Sequence, residues 1–205
     1  MSEDRELLLA WRGGDRRAGS ELFQRHFAAV RRFFYNKACT ESEVEELIQR
    51  TFTACVEAAE RFRGDASFKT WLLAIARNVL RESIRETLRD AVDAIDADEL
   101  CSEQRGPGLA TGLELQREQG LLLAALRKLP LESQLVLELF YWEELSAAEL
   151  GVVLGVPEGT VRTRLRKAKL ELEGRIDELA RTGAELDSLR SGFEGWARGL
   201  RVALA

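Results

Sequence analysis

The sequence predicts an all-α protein built from two helical domains, and three observations support this prediction. Apolar residues recur at three- and four-residue spacing through most of the chain, and no segment sustains the two-residue alternation of a strand. The 205 residues include only 3 prolines, and Ala, Leu, Glu and Arg, which favour helices, dominate the composition. An acidic stretch containing Gly-Pro-Gly interrupts the helical pattern near the middle of the chain.

The formal net charge of −5 is concentrated in that interruption. Residues 1–88 carry a net charge of +1, residues 89–115 of −5 and residues 116–205 of −1. The acidic excess and the weak periodicity predict a linker, placed at 89–117, between domains at 1–88 and 118–174. On composition alone, a plain solvated tether explains the linker equally well.

Several classes of protein are disfavoured by the composition. The three cysteines, Cys39, Cys55 and Cys101, are widely spaced and form no CxxC or Cys/His cluster, so we predict no metal site and interpret them as buried or incidental thiols. The single histidine, His26, lies on an apolar-periodic segment and is interpreted as structural. No apolar run reaches the ~20 residues of a membrane span, and the acidic N-terminus does not resemble a secretory signal. We therefore expect a cytoplasmic protein without membrane insertion or cofactor.

The N-terminal domain reads as four amphipathic helices. The first begins near Leu7, and Thr40 is a candidate N-cap for the third, with Glu41 and Glu43 favourable in its first turn. Gly64 and Asp65 interrupt the pattern before the last helix. The apolar positions of the second helix are Leu22, Phe23, Phe27, Val30, Phe33 and Phe34, and those of the fourth are Phe68, Trp71, Leu72, Ile75, Ala76 and Val79.

The C-terminal domain carries the clearest local signal in the chain. After two apolar-periodic helices separated by Pro130, Ser146 to Glu149 reads SAAE, a capping box that predicts a helix from Ala147 to about Leu154. Gly155 can end this helix in the left-handed conformation, and Pro157 suits the first turn of the next. Two short helices joined by such a turn form a helix-turn-helix.

The second helix of this motif divides into an apolar and a basic face. At 100° per residue, Val161, Leu165, Ala168 and Leu172 share one side. The opposite side holds Gly159, Arg162, Thr163, Arg166 and Lys167. A helix in this position enters the major groove of DNA, where arginine contacts guanine and other cations contact phosphates. The alternative is a solvated basic face on an ordinary helical hairpin.

Two sets of motifs resemble one family. LSAAELGVVLGVPEGTVRTRLRKAKLEL resembles region 4 of bacterial RNA polymerase sigma factors of the extracytoplasmic-function (ECF) class. The segments ELFQRHFAAVRRFF, SEVEELIQRTF and RFRGDASFKTWLLAIARNVLRESIR resemble region 2, in the same order and spacing. The resemblance implies a non-enzymatic subunit that binds core RNA polymerase, directs it to promoters and helps to open the duplex. Double-stranded and melted promoter DNA and an anti-sigma factor are the further partners that it suggests.

The resemblance also implies three surfaces. The residues implied to read the minus-thirty-five element are Pro157, Glu158, Gly159, Thr160, Arg162, Thr163, Arg166, Lys167 and Lys169. A pocket for a flipped base of the minus-ten element would comprise Arg63, Gly64, Asp65, Ser67 and Phe68. The melted strand would follow Lys69, Trp71, Arg77, Asn78, Arg81 and Arg85, although Trp71 and Phe68 are equally candidates for the core. Polymerase docking would use Glu46, Leu47, Gln49 and Arg50, whose acids could also be solvated first-turn residues.

The chain departs from the family pattern at several positions. Glu132 and Gln134 stand where arginines are usual, which weakens the phosphate contacts expected near the minus-thirty-five element. Val56 replaces a frequent tryptophan, Arg50 a common acid, and Glu82 a common aspartate.

Two questions stay open at the level of sequence. A C-terminal extension, 175–205, follows the second domain, and it could be a regulatory helix or an extension of that domain's core. The chain could also be a stand-alone dimeric regulator that uses the same helix-turn-helix, or a protein that docks on polymerase without directing initiation.

The acidic linker generates the first prediction. By resemblance it threads the polymerase cleft, where Asp and Glu would stand in for nucleic acid. Replacing Asp93, Asp96 and Asp98 by Asn and Glu99 by Gln should then change the ratio of abortive to full-length RNA in single-round transcription. An unchanged ratio would show that the segment acts only as a tether between the domains.

Overall fold

The computed structural model describes residues 3–88 and 117–179, together with Gly195. These residues form eight α-helices and one short 3-10 turn, and no strand occurs among them. The all-α prediction is therefore confirmed. Residues 89–116 of the predicted linker, and the predicted C-terminal extension beyond Leu179 apart from Gly195, lie outside the described residues.

The N-terminal domain is a bundle of four helices in chain order. Its members are α1 (Glu3–Arg12), α2 (Arg16–Tyr35), α3 (Glu41–Ala58) and α4 (Phe68–Leu88), with the 3-10 turn at Ala59–Arg61. Each of the four predicted helices is present. The apolar faces of α2, α3 and α4 meet in a core that includes the fully buried Leu22, Val30, Phe34, Val44, Leu72 and Leu80.

Local chemistry sets the helix boundaries of this domain. Asp15 caps α2 by accepting hydrogen bonds from the backbone N–H of Arg17 at 2.8 Å and of Ala18 at 3.3 Å. Thr40 caps α3, as predicted, by accepting from the N–H of Glu43 at 3.1 Å. Gly19 allows α1 to approach α2, because a Cβ there would lie 2.6 Å from a ring carbon of Trp11.

The C-terminal domain also has four helices. They are α5 (Arg117–Arg127), α6 (Leu131–Tyr141), α7 (Ala147–Leu154) and α8 (Glu158–Leu179). Helices α5, α6 and α7 pack around the long α8. The buried face of α8 includes Val161, Ala168 and Leu172, three of the four positions predicted from periodicity, and Leu165 is partly buried on the same core.

The predicted helix-turn-helix is confirmed in detail. The hydroxyl of Ser146 accepts a hydrogen bond from the Glu149 N–H at 3.3 Å, and the Glu149 carboxylate accepts from the Ser146 N–H at 2.9 Å. Gly155 ends α7 in the left-handed conformation, with φ 66° and ψ 33°. At Gly151 a Cβ would lie 2.8 Å from the Val156 carbonyl oxygen, so the turn folds tightly against α7 because the side chain is absent.

The capping box predicts the effect of removing one hydroxyl. Ser146→Ala should lower the free energy of unfolding of the C-terminal domain by about 1 kcal/mol at neutral pH, since the Glu149 N–H loses its acceptor. Urea unfolding followed by circular dichroism measures this change. Thr53→Ala, at an exposed position inside α3, is the matched control and should stay within about 0.5 kcal/mol of the parent.

The loss of stability in Ser146→Ala should depend on pH. Hydrogen bonds from the Ser146 hydroxyl and backbone N–H lower the pKa of the Glu149 carboxyl below its ordinary value of 4.5. A lowered folded-state pKa contributes stability above the unfolded value, and that contribution is lost as the pH falls through the folded value. The difference between parent and Ser146→Ala should therefore narrow below pH 4.5. A difference independent of pH would show that the charged carboxylate contributes nothing to the cap.

Candidate nucleic-acid interface

The first half of α8 presents an exposed surface on the side away from the core. Glu158 to Thr160, Arg162, Thr163, Arg166 and Lys167 are exposed, and so is Pro157 just before the helix. An exposed basic helix at this place in a helix-turn-helix has the geometry to enter the major groove. Eight of the nine residues predicted to read duplex DNA thus lie on one surface, which we call the reading surface.

Lys169 is the exception on this helix. It is partly buried, and its Nζ lies 5.6 Å from the ring centre of Phe140 and 5.3 Å from that of Tyr141 on α6. Both distances are those of a cation–π contact. Lys169 therefore helps to pack α8 on α6, and helical periodicity alone did not predict this contact.

The predicted base pocket divides into exposed loop residues and a buried aromatic ring. Arg63, Gly64, Asp65 and Ser67 are exposed, and Gly64 adopts a φ of 81°, which favours glycine. Phe68 is buried at 4% exposure, so its ring supports the loop from below and does not offer an open stacking face. Of the two alternatives for Phe68, this placement favours the core.

Trp71 lies between the core and the surface, which answers the question left open by the sequence. Its ring is partly buried and lies 4.7 Å from that of Phe62 and 5.7 Å from that of Phe68. The three rings form an aromatic cluster under the loop. Asn78 and Arg85, both exposed, follow Trp71 at seven-residue intervals and therefore share its side of α4.

The remaining predicted strand-lining residues point elsewhere on α4. Arg77 is buried at 7% exposure, and its Nη2 donates to the Glu132 carboxylate of α6 at 2.6 Å. The Nζ of Lys69 lies 2.7 Å from the Glu143 carboxylate. Arg81 is half-buried on the same side of α4 as Arg77. The C-terminal domain thus covers two cations that the resemblance assigns to melted DNA.

The predicted docking residues line a shallow groove between α3 and α4. Glu46, Gln49 and Arg50 lie along this groove, whose volume is about 440 Å³. Arg50 is surrounded by acids, with Glu86 at 2.9 Å, Glu82 at 3.5 Å and Glu46 at 3.8 Å, and the bond to Glu86 raises the pKa of its guanidinium. Leu47 is 1% exposed in the core and presents no surface to a partner, which corrects its assignment as a docking residue.

Sequence reasoning missed the contact between the two domains. Arg32 of α2 donates to Glu143 at 2.8 and 3.3 Å, and Lys37, just after α2, donates to Glu138 of α6. Burial lowers the pKa of Lys37, and the Glu138 carboxylate opposes that shift. The sequence signal for this contact was the presence of Glu132 and Gln134 at positions where the family usually has arginines. Glu132 holds Arg77, and Gln134 donates to Glu138 at 2.8 Å.

The described residues offer little for other chemistry. No group of three or more His, Cys, Asp or Glu side chains arranged to hold a metal occurs within residues 3–88 and 117–179. Burial raises the pKa of Cys55 to about 12, and His26 makes a 2.8 Å contact with Asp4 while burial lowers its pKa. Within the same ranges, no helix has the length and apolarity of a membrane span.

The protein is all-α, and its C-terminal domain presents an exposed basic helix on a capped helix-turn-helix. This arrangement is typical of DNA-binding transcription proteins. Residues 22–89 match the family model Sigma-70 region 2, and residues 119–172 match Sigma-70 region 4. RNA polymerase sigma factor NccH of Alcaligenes xylosoxydans xylosoxydans is 30% identical over 164 residues, covering 78% of this chain and 87% of that protein. The chain belongs to the sigma-70 family of RNA polymerase sigma factors, in its ECF class.

Other relatives agree with this assignment. ECF RNA polymerase sigma factor SigM of Mycobacterium tuberculosis is 28% identical over 169 residues, or 82% of each chain. The structure of CnrH in complex with the cytosolic domain of CnrY matches with a TM-score of 0.64 and 24% identity, over 87% of this chain and all of that one. RpoE of Bartonella quintana, crystallised with the anti-sigma factor NepR, matches with a TM-score of 0.59 and 20% identity, over 77% and 96% of the two chains. These two structures share the fold.

Proposed function

We propose that this ECF sigma factor divides promoter recognition between its two domains. The N-terminal domain, 1–88, docks on core polymerase through the groove at Glu46, Gln49 and Arg50 and engages the minus-ten element. The C-terminal domain, 118–174, reads the minus-thirty-five element with its reading surface. The observation that supports this division most directly is the continuous exposed surface at the start of α8, set on a capped helix-turn-helix.

The chemistry of the minus-ten surface supports strand capture more than duplex readout. A loop with exposed Arg63, Asp65 and Ser67 lies beside the aromatic cluster, and the exposed Asn78 and Arg85 extend along α4. Extruding a base costs a few kcal/mol of unstacking, which hydrogen bonds and ring contacts in such a pocket offset. Phe62 and Trp71 are the rings of the cluster that combine partial exposure with a position beside the loop.

The protein acts without bond chemistry of its own. Sigma factors are DNA-binding regulatory subunits, and we extend this to the absence of any enzymatic activity in this chain. Its work is done where RNA polymerase acts, in the cytoplasm. Because one of the similar structures is a sigma factor held by an anti-sigma factor, we include such an inhibitor among the partners.

Run-off transcription tests the proposal. Purified core polymerase with this protein should produce specific starts on genomic fragments that core polymerase alone does not produce. If a known sigma factor supports transcription in the same assay and this chain does not, the protein is better described as one that docks on polymerase without directing initiation.

The reading surface makes a residue-level prediction. Arg166→Ala should lower transcription from a minus-thirty-five-dependent start by about five- to a hundredfold, since a bidentate arginine–base contact is worth about 1–3 kcal/mol. The measurement is run-off yield on templates with the intact and the scrambled element.

The control for this variant lies on the same helix. Arg175→Ala removes a cation that pairs with Glu178 at 2.9 Å, more than two turns beyond the reading surface, and should leave the yield unchanged. Equal losses for both variants would mean that α8 contributes general charge and does not read bases.

A further inference from the structure

We propose that Arg12, the last residue of α1, positions the loop that receives a base of the minus-ten element. The loop comprises residues 62–67, between the 3-10 turn and α4, and we call it the capture loop. Arg12 is a positioning residue, because it acts on the loop and not on DNA. The inference rests on the proposed function, which assigns this loop and the aromatic cluster to strand capture.

Arg12 contacts the start of the capture loop from a distant part of the chain. Its Nε donates to the carbonyl oxygen of Ala59 at 3.0 Å, and its Nη2 donates to the same oxygen. The Nη2 also donates to the carbonyl oxygen of Phe62 at 2.6 Å. Ala59 and Phe62 are 47 and 50 residues from Arg12, so one side chain ties the end of α1 to the entrance of the loop.

The two carbonyls mark the point where the chain leaves the helix. Helix α3 continues into the 3-10 turn at Ala59–Arg61, and Phe62 then adopts an extended backbone, with φ −68° and ψ 115°. Carbonyl oxygens at the end of a helix lack N–H partners within the helix, and a cation there also interacts favourably with the helix dipole. The guanidinium of Arg12 therefore satisfies the last turn and fixes the direction in which the loop departs.

The far end of the capture loop has an anchor of its own. The Ser67 hydroxyl accepts a hydrogen bond from the Thr70 N–H at 3.1 Å and lies 2.7 Å from the hydroxyl of the buried Thr70. Ser67 thus caps the start of α4. Arg12 and Ser67 hold the two ends of the loop, and the exposed Arg63 and Asp65 lie between them.

Fixing the loop entrance also fixes an aromatic ring. The ring of Phe62 lies 4.7 Å from that of Trp71, and both residues are partly exposed. An unpaired base stacks on such rings, and a ring that is already held in place costs less ordering when the base arrives. Because Arg12 holds the backbone of Phe62, it acts on the captured base through this ring.

Helix α1 is packed on α2 near both of its ends. Near the start of α1, the Asp4 carboxylate lies 2.8 Å from the Nε2 of the buried His26. Near its end, the Trp11 ring lies against Gly19, where a Cβ would not fit. A helix fixed at both ends is a rigid support for Arg12.

This support comes from outside the segment that matches the family. Residues 22–89 match Sigma-70 region 2, and α1 ends ten residues before that match begins. The inference therefore adds α1 to the minus-ten machinery of this chain.

A direct contact of Arg12 with a DNA phosphate would have different requirements. A phosphate contact needs a positive charge near the DNA backbone, which lysine also supplies. Arg12 is half-buried and donates to two carbonyl oxygens. Holding both oxygens needs the planar guanidinium, so lysine at this position should restore only part of the effect.

Limited trypsin digestion of the full chain tests whether Arg12 holds the loop, without polymerase or DNA. Trypsin cleaves after Arg63 in the loop and after Arg25 inside α2, and mass spectrometry measures both initial rates. A folded segment is cleaved through its open state, so each rate follows the population of that state. Arg12→Met keeps an apolar stem and removes the donors. It should raise the rate after Arg63 by about tenfold relative to the rate after Arg25, the lower end of what hydrogen bonds from a charged group contribute.

Run-off transcription tests whether this positioning serves base capture. The templates carry an abasic site at each position of the minus-ten element in turn, and the captured base is the position at which the parent protein loses most. For Arg12→Met, the ratio of the yields with and without this base should fall by about tenfold. The ratio of the yields with the intact and the scrambled minus-thirty-five element should stay unchanged. A merely structural defect would lower all yields by one factor and leave both ratios unchanged.

Two further variants complete the experiment. Arg12→Lys should give intermediate values in both assays, and it keeps the test decisive if Arg12→Met does not fold. Arg5→Met makes the same change at an exposed position of α1 and should behave like the parent protein. Helical content by circular dichroism confirms that each variant is folded.

Three results would overturn the inference. The first is an unchanged ratio of cleavage rates in folded Arg12→Met. The second is a loss of transcription that all templates share equally. The third is full restoration by Arg12→Lys in both assays, which would make Arg12 a simple positive charge. A parent protein that supports no specific start would instead refute the proposed function, whereas the cleavage rates decide separately whether Arg12 holds the loop.

Discussion

Glu143 lies between Arg32 and Lys69 in a region that water barely reaches, and the arrangement of both domains depends on this contact. A buried carboxylate is costly unless charged donors compensate it, and here the donors come from the opposite domain. Glu138 with Lys37 and Glu132 with Arg77 repeat the pattern at two neighbouring points. Specific ion pairs therefore help to fix the relative orientation of the domains, beside the packing of α4 on α7.

The contact between the domains covers some of the predicted functional residues and leaves others exposed. Arg77 and Lys69 are engaged by carboxylates, whereas Asn78, Arg85 and the start of α8 remain exposed. The groove beside Arg50 is open on the far side of α4. The free chain therefore exposes the groove and the start of α8, while carboxylates cover Lys69 and Arg77.

The helices and the helix-turn-helix could be predicted because their signals are local. Thr40 and Ser146 act within three residues, and Gly155 needs only its own backbone conformation. Leu47 was assigned to a docking surface because a family motif names positions without saying which side of a helix faces the core. The contact between the domains could not be predicted, since Arg32 and Glu143 are 111 residues apart and their pairing depends on how two domains meet. The unusual Glu132 indicated one residue of this contact, but its partner Arg77 belongs to the other domain and could not be identified from the sequence.

Buried ion pairs join the two domains in the free chain, and we expect the domains to separate in the initiation complex. Spin labels at the exposed positions 24 and 173, one in each domain, would report their distance by double electron–electron resonance. We expect a single short distance between the labels in the free protein. On binding core polymerase and a promoter, the distance should increase by tens of ångströms, toward the roughly 85 Å of duplex (about 25 base pairs) that separates the two elements. A long or broad distribution in the free protein, or one unchanged in the initiation complex, would contradict it.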